Sequence, residues 1–364
     1  MPDPWRGESL LSDMRTTPER LGRAACLRCG LVRRRQLPLP EEQRAIFDEA
    51  YSLFAEKPTA HLRERQAAMA AWVVDALAGF RPTSTLEFGC GDGSLLEALG
   101  AMLPGVSLRG IEPAPRSVAE ARRRGVHVSM GFAEQLSDGR ADLCLSVNVI
   151  EHVPSPVDFL CSMRNAVSSD GQIAVVCPDG DVPNYELLFY DHLYSLGRNA
   201  LETLCARSKL AVLRTQKAPT TLGPFQIMVA RPMRDGEQPQ PAIEPEGDHI
   251  VAAKDDYLVT WSRLEGILRE RIGGATSIVV FGNGDVAALL RVYAPAVFAL
   301  AAACVIDGEP TVDCFFDLPL RSYSSLRSPR VIVLGIRPGN QDGVARRLNA
   351  DGHRVVRWDD VVPA

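Results

Sequence analysis

A glycine-rich turn between a short apolar run and a helical pattern is the feature that most constrains the fold. The run is 84–86, the turn is Glu87-Phe88-Gly89-Cys90-Gly91-Asp92-Gly93, and the helical pattern begins at Ser94. Glycine has no Cβ, so the backbone N–H groups of such a turn can approach a ligand closely. The glycine spacing differs from the G-x-G-x-x-G of a dinucleotide fingerprint. The stretch predicts a strand, a ligand-binding turn and a helix.

Strand-like and helix-like patterns alternate along the chain around this turn. Helical patterns, such as those at 117–124 and 156–166, separate short apolar runs. This alternation predicts an α/β fold in which helices cover both faces of a parallel sheet, as in a Rossmann-like domain. The predicted strands are 85–88, 107–111, 126–130, 143–147 and 172–176.

Changes in composition divide the chain into four parts. Residues 1–55 are predicted to be an N-terminal segment, and 56–234 the main α/β domain. Residues 235–250 are rich in Pro, Glu, Gln and Gly, which is typical of a linker. Residues 251–364 contain a second glycine turn, Gly282-Asn283-Gly284-Asp285, after a predicted strand. This last part is therefore predicted to be a second Rossmann-like α/β domain.

Glu112 ends the second predicted strand and follows the first glycine turn by about 20 residues, the spacing of a ribose-binding carboxylate. An acidic side chain there can accept hydrogen bonds from both hydroxyls of a ribose. A solvated carboxylate at a strand end is the alternative. Because open α/β sheets bind ligands at the carboxyl ends of their strands, we expect Glu112 to face the same ligand as the glycine turn.

Composition and charge limit the partners and the compartment that we expect for the protein. The net charge of the 364 residues is -5, which weighs against nucleic acid as a partner. The longest apolar run, 292–306, contains Pro295 and is shorter than the roughly 18–20 residues that span a bilayer. Nine scattered cysteines and a start without a signal-peptide pattern predict a cytoplasmic protein in a reducing compartment, without a membrane partner. Whether the protein forms a homodimer stays open.

The pattern E-x-G-x-G-x-G at Glu87–Gly93 resembles motif I of the class I S-adenosylmethionine (SAM) methyltransferases. Three later segments, at 110–113, 132–134 and 148–152, are similar to the segments that follow the next strands in that family. The resemblance implies SAM as cofactor, with Phe132 beside the adenine ring and Asn148 toward the sulfonium. The cofactor-binding residues that it implies are Glu87, Phe88, Gly89, Gly91, Gly93, Glu112, Pro113, Phe132, Ala133, Asn148 and Val149.

Two histidines are candidates for the base that removes a proton from the acceptor. An imidazole with a pKa near neutrality suits that task. His152 follows the fourth predicted strand, and His192 lies in Tyr190-Asp191-His192, which resembles the acidic-His pattern of the sugar C-methyltransferases. The predicted catalytic residues are thus His192, His152, Asp191 and Tyr190. A packing or capping role for His192, and an orienting role for His152, are the alternatives.

The order of the parts also resembles the three-part sugar C-methyltransferases, which carry a zinc module, a SAM domain and a Rossmann-like domain. Cys26 and Cys29 resemble half of that module, but a structural zinc site needs four ligands, so we assign no metal. The resemblance implies that the C-terminal domain encloses the substrate. Gly282, Gly284 and Asp307 also fit a weak dinucleotide pattern, which leaves NAD binding by this domain as an alternative.

These observations predict a SAM-dependent methyltransferase that acts on a small molecule. The expected acceptor is a sugar, a nucleotide sugar or a secondary metabolite, methylated by in-line displacement with a histidine as general base. Such an enzyme would belong to natural-product biosynthesis or sugar tailoring. O- or N-methylation of a non-sugar natural product is the first alternative, and an NAD-binding protein is the second.

Overall fold

The structure is a computed structural model of the 364-residue chain. It describes residues 1–48, 50–51, 60–135, 139–238 and 247–362. Residues 239–246 of the predicted linker lie outside the described residues. The chain forms two compact units. The larger unit contains Ala24–Glu186 and Asp191–Val251, and the smaller unit contains Met1–Arg23, Leu187–Tyr190 and Ala252–Ala364.

The N-terminal segment contains one helix, and short strands that were not predicted from the sequence. The elements are β1 (Ser9–Leu10), β2 (Thr16–Thr17), β3 (Arg23–Ala25), β4 (Val32–Arg34) and α1 (Pro40–Ile46). Proline at the first turn and a Glu42 carboxylate that accepts from the backbone N–H of Leu39 at 2.9 Å explain why α1 begins at Pro40. β1 pairs with β2 in the smaller unit.

A seven-stranded sheet forms the framework of the larger unit. Its order is β11-β12-β9-β8-β5-β6-β7, in which β5 to β9 run parallel and β12 pairs antiparallel with both of its neighbours. The Rossmann-like α/β fold is thus confirmed. The strands are β5 (Ser84–Phe88), β6 (Ser107–Glu112), β7 (His127–Met130), β8 (Ala141–Val147), β9 (Val167–Pro178), β11 (Leu210–Lys217) and β12 (Phe225–Pro232). A further strand, β10 (Tyr194–Ser195), belongs to a three-stranded sheet of order β10-β4-β3.

Two apolar clusters cover this sheet. One contains side chains of α2 and α3, and the other contains side chains of α5 and α6. The helices are α2 (Ala60–Ala76), α3 (Ser94–Met102), α4 (Pro115–Arg123), α5 (Pro156–Ala166) and α6 (Arg198–Arg207). Because β5 lies between β6 and β8, the chain order reverses there, and the carboxyl ends of these strands border the crevice where such sheets bind ligands.

The smaller unit has a sheet of its own, as predicted for the C-terminal part. Its order is β15-β16-β14-β13-β17-β18, and all neighbours run parallel except β15 and β16. None of the described helices combines the length and apolar composition that a bilayer crossing needs. The elements that follow β12 are α7 (Gly247–Ile272), β13 (Ile278–Phe281), α8 (Asp285–Tyr293), α9 (Pro295–Phe298), β14 (Ala301–Ile306), β15 (Cys314–Phe315), β16 (Leu318–Ser322), β17 (Val331–Leu334), α10 (Pro338–Ala350) and β18 (Arg354–Val356).

Candidate active site

A cavity of about 500 Å³ lies in the larger unit, at the carboxyl ends of β8, β5, β6 and β7. Residues that end or follow these four strands line it. This is the edge of a parallel sheet at which ligands bind. Of the predicted site residues, the following line this cavity: Glu87, Phe88, Gly89, Gly91, Glu112, Pro113, Phe132, Ala133, Asn148, Val149 and His152. Gly93, Tyr190, Asp191 and His192 are not among the lining residues.

Gly89 starts the turn and must be glycine for a local reason. Its φ is +71°, in the left-handed region that favours glycine. A Cβ placed on Gly89 would also overlap Cγ2 of Val149, which lines the same cavity. Asn148 next to it has a φ of 55°, a conformation that Asn adopts more readily than other non-glycine residues. Backbone of the β5 and β8 turns therefore approaches closely at the cavity wall.

Glu87 is a buried acid beside the turn, with an exposed fraction of 2%. Burial raises its pKa from the usual 4.5 to about 8, and the nearby charges of Glu112 and Asp92 add to the rise. Within the described part of the chain, Oε2 of Glu87 has no hydrogen-bond partner. A buried carboxyl group of this kind fits a cationic ligand, because a nearby positive charge favours the ionised form.

Glu112 closes the turn from the neighbouring strand. Its Oε2 accepts the backbone N–H of Gly91 at 2.9 Å, and its Oε1 accepts that of Ala114 at 2.9 Å. Burial raises the pKa of Glu112, whereas these two backbone N–H groups lower it. Each carboxylate oxygen has a second lone pair, so the group retains acceptor capacity on the cavity side.

Helix α1 supplies cavity residues that the sequence analysis missed. Gln43, Arg44 and Phe47 line the cavity together with Tyr51. The Arg44 guanidinium lies 5.0 Å from the centroid of the Phe132 ring. Phe47 contacts the Tyr51 ring edge-on at 4.9 Å. Phe47 caps the carboxyl end of α1, four residues after Gln43, and this i, i+4 spacing was the available sequence pattern.

The two predicted histidines are in contact. The rings of His152 and His192 meet edge to face, with centroids 4.6 Å apart. Nδ1 of His152 lies 3.0 Å from the backbone oxygen of Asp191 and 3.6 Å from Oδ2 of its carboxylate. The structure thus joins His152, Asp191 and His192, and only His152 of these lines the cavity. Tyr190 belongs to the smaller unit.

Glu151 was not predicted, yet it belongs to the same histidine group. Side-chain atoms of Glu151, His152 and His192 lie within 4.8 Å of one another, a composition also found in metal sites. The exposed fraction of Glu151 is 1%, and neither carboxylate oxygen has a hydrogen-bond partner in the described residues. Burial raises the pKa of Glu151 well above its usual value, and the charges of Glu186 and Asp191 contribute.

The second glycine turn, in the smaller unit, is explained by packing. A Cβ on Gly282 would overlap the backbone oxygen of Gly335, and the N–H of Gly335 donates to Phe281 at 2.8 Å. Both carboxylate oxygens of Asp307 accept from Arg347 at 2.8 Å. The residues of the weak dinucleotide pattern therefore already have protein partners.

A family model described as a methyltransferase domain matches residues 61–215. Trans-aconitate 2-methyltransferase of Methylobacterium nodulans is 29% identical over 111 residues, 29% of this chain and 43% of the relative. Ubiquinone biosynthesis O-methyltransferase of Pseudomonas aeruginosa is 30% identical over 109 residues, 28% of this chain and 46% of the relative. The chain thus spans less than half the length of these curated relatives.

Solved structures of methyltransferases are also similar. The mitomycin 7-O-methyltransferase is 21% identical with a TM-score of 0.41, over 47% of this chain and 53% of that one. The plantazolicin methyltransferase, solved with SAH, is 16% identical with a TM-score of 0.39, over 47% and 85%. Together, the family match, the sheet order and the glycine turn at the cavity lead to one conclusion. Residues 61–215 form a class I methyltransferase domain of the SAM-dependent type.

Proposed function

We propose that this protein transfers the methyl group of SAM to a small-molecule acceptor. One observation carries the proposal: the glycine turn, Glu87, Glu112 and His152 all line one cavity. SAM bears a sulfonium and an ammonium group, and the buried carboxyl of Glu87 suits a positive charge. When bound, SAM supplies a methyl group on a good leaving group. The protein then has to align an acceptor with that methyl group and remove its proton.

We propose His152 as the group that meets the acceptor. Nδ1 lies 3.0 Å from the Asp191 backbone oxygen, which can only accept, so the imidazole proton resides on Nδ1. Nε2 then has a lone pair and can take the proton of an acceptor hydroxyl, amine or acidic C–H. His192 packs against this ring, and the Asp191 carboxylate at 3.6 Å stabilises the imidazolium that forms.

The charge of the cavity wall supports an acceptor that is uncharged where it enters the cavity. Arg44 is the only arginine or lysine among the described lining residues. The acidic side chains other than Glu87, whose raised pKa of about 8 keeps it largely neutral near pH 7, still outnumber Arg44, and like charges at such close range disfavour an anion. The acidic lining residues are Glu87, Asp92, Glu112, Glu134 and Asp158.

We propose a sugar or another hydroxylated metabolite as the acceptor, in the tailoring of saccharides or natural products. The acidic-His pattern at Asp191 and His192 supports the sugar. The names of the curated relatives refer to trans-aconitate and to ubiquinone biosynthesis, and they support O-methylation of a non-sugar metabolite instead. We also propose a cytoplasmic location, which rests on nine cysteines that are all free thiols.

The test is methyl transfer itself. The protein is incubated with methyl-labelled SAM and a metabolite extract, and labelled products are identified by mass spectrometry. Label in a compound of low molecular mass is the expected result, and its structure names the acceptor. Thermal unfolding with SAM and with NAD is the companion measurement. Stabilisation by NAD alone, without label transfer, would contradict the proposal and favour the C-terminal alternative.

A further inference from the structure

The turn that contains Cys26 and Cys29 has no part in the proposed methyl transfer. These are the only two of the nine cysteines separated by just two residues. We propose that Cys26 and Cys29 form a reversible thiol–disulfide pair, a redox-modification site on the larger unit. Two observations carry this inference: the geometry of the turn and the unequal exposure of the two thiols.

The backbone folds the two cysteines into one tight turn. The N–H of Gly30 donates to the oxygen of Cys26 at 2.9 Å, and the N–H of Cys26 donates to Leu31 at 2.9 Å. The Gly30 bond closes a five-residue turn, one helical turn long, in which α-carbons three residues apart lie about 5 Å from each other. A disulfide needs α-carbons about 4.4–6.8 Å apart, so the pair can close without moving the surrounding strands.

The two thiols suit the two roles in disulfide formation. Cys26 is exposed, and the backbone N–H groups of Cys29 and Arg28 lower its pKa. Cys29 is half-buried, and burial raises its pKa. A more acidic, exposed thiol reacts first with an oxidant, because the thiolate is the nucleophile. Cys26 is therefore the attacking thiol and Cys29 the resolving one.

The oxidant is a low-molecular-weight disulfide such as glutathione disulfide. The Cys26 thiolate attacks one sulfur, the S–S bond breaks, and one glutathione thiolate leaves. The Cys29 sulfur then attacks the Cys26 sulfur of this mixed disulfide, and the second glutathione thiolate leaves. The two protein protons pass to the two glutathiones. Two protein thiols are thus oxidised while one glutathione disulfide is reduced to two thiols.

The experiment uses the full chain in glutathione buffers of increasing oxidised fraction, followed by alkylation and mass spectrometry. Cys26 and Cys29 should lose alkylation together, at one midpoint. Cys29→Ser should retain one glutathione on Cys26, because the resolving thiol is gone. Cys26→Ser should slow the reaction of the remaining thiol by roughly tenfold or more. Cys314→Ser removes an exposed cysteine outside the pair and should match the unsubstituted protein.

Three results would overturn the inference. Alkylation of both cysteines at every buffer ratio would show that no disulfide forms. A Cys29→Ser protein without a glutathione adduct would show that Cys26 is not the attacking thiol. Zinc in the purified protein that is lost in both serine variants would make the pair metal ligands shared between copies. None of these readouts uses methyl transfer, so they leave the proposed function untouched.

Discussion

Nδ1 of His152 lies 3.0 Å from the backbone oxygen of Asp191, and this contact fixes which ring nitrogen carries the proton. The contact also joins the two segments that the sequence offered as separate candidates. His152 follows β8, and Asp191 precedes His192 in the chain. Of the two histidines, only His152 lines the cavity. We therefore propose His152, and not His192, as the residue nearest to an acceptor.

Replacing His152 tests this assignment. We expect His152→Ala to lower single-turnover methyl transfer by about 10²–10⁴-fold, the usual contribution of a general base. SAM affinity, measured by calorimetry, should change little. His192→Ala should lower turnover less, because its ring acts through His152. His127→Ala, an exposed histidine on β7, is the control. Full turnover by His152→Ala together with loss in His192→Ala would reverse the assignment.

Glu87 should make the ligand-free protein less stable as pH rises. The pKa of Glu87 in the folded protein, about 8, lies above the usual 4.5. The stability that its neutral form contributes to folding is therefore fully present below pH 4.5 and is lost as pH rises through 8. We expect Glu87→Gln to flatten this decline in the free energy of unfolding, measured by denaturant titration at several pH values. Glu134→Gln, which changes an exposed acid of the same cavity, should leave the decline in place.

The same carboxyl group should couple SAM binding to proton release. A cation beside Glu87 lowers its pKa, so binding between about pH 6 and 8 expels a proton, and affinity rises with pH across this range. Calorimetry in two buffers of different ionisation enthalpy measures the proton number. We expect a release that disappears in Glu87→Gln. An affinity independent of pH in both proteins would show that no cationic group approaches Glu87.

A single methyl group at Gly89 should destabilise the turn. Gly89→Ala combines backbone strain with overlap against Val149, and we expect a loss of about 1–3 kcal/mol in the free energy of unfolding. Gly105→Ala is the matched control, since Gly105 has a φ of +82° but no atom within 4 Å of the added Cβ. Equal losses at both positions would mean that overlap with Val149 contributes nothing.

Chelation distinguishes a histidine base from a metal at Glu151, His152 and His192. If the imidazoles act directly, EDTA should leave turnover unchanged. Burial raises the pKa of Glu151, so the neutral Glu151→Gln variant should keep turnover of the same order. A metal site would behave in the opposite way in both experiments. Metal analysis of the purified protein, before and after chelation, checks the result independently.

The parts of the fold that could be predicted from the sequence are those with a local sequence pattern. β5, β6 and β8 are short, apolar and bounded by turns, and the glycine turn with Glu87 and Glu112 identified the cavity edge. The antiparallel β11 and β12 were not predicted. β12 is buried on both faces and therefore has no alternating pattern.

The missed site residues depend on tertiary contacts. Gln43 and Phe47 reach the cavity from α1, far away in sequence. Glu151 looks like an ordinary surface acid until the fold buries it against two histidines. The spacing of apolar residues along the chain does not reveal tertiary contacts of this kind.

The pairings of β4 with β10 and of β12 with β9 extend the smallest piece of the chain that can be studied in isolation beyond residues 61–215. Arg33 pairs with Tyr194, Val32 pairs with Ser195, and the N–H of Arg34 donates to Leu193 at 2.8 Å. Residues 61–215 alone would lack β4 and leave the backbone of Leu193–Ser195 without these bonds. An open strand edge of this kind recruits other chains and aggregates. Recombinant work on the methyltransferase domain should therefore retain β3, β4 and β12.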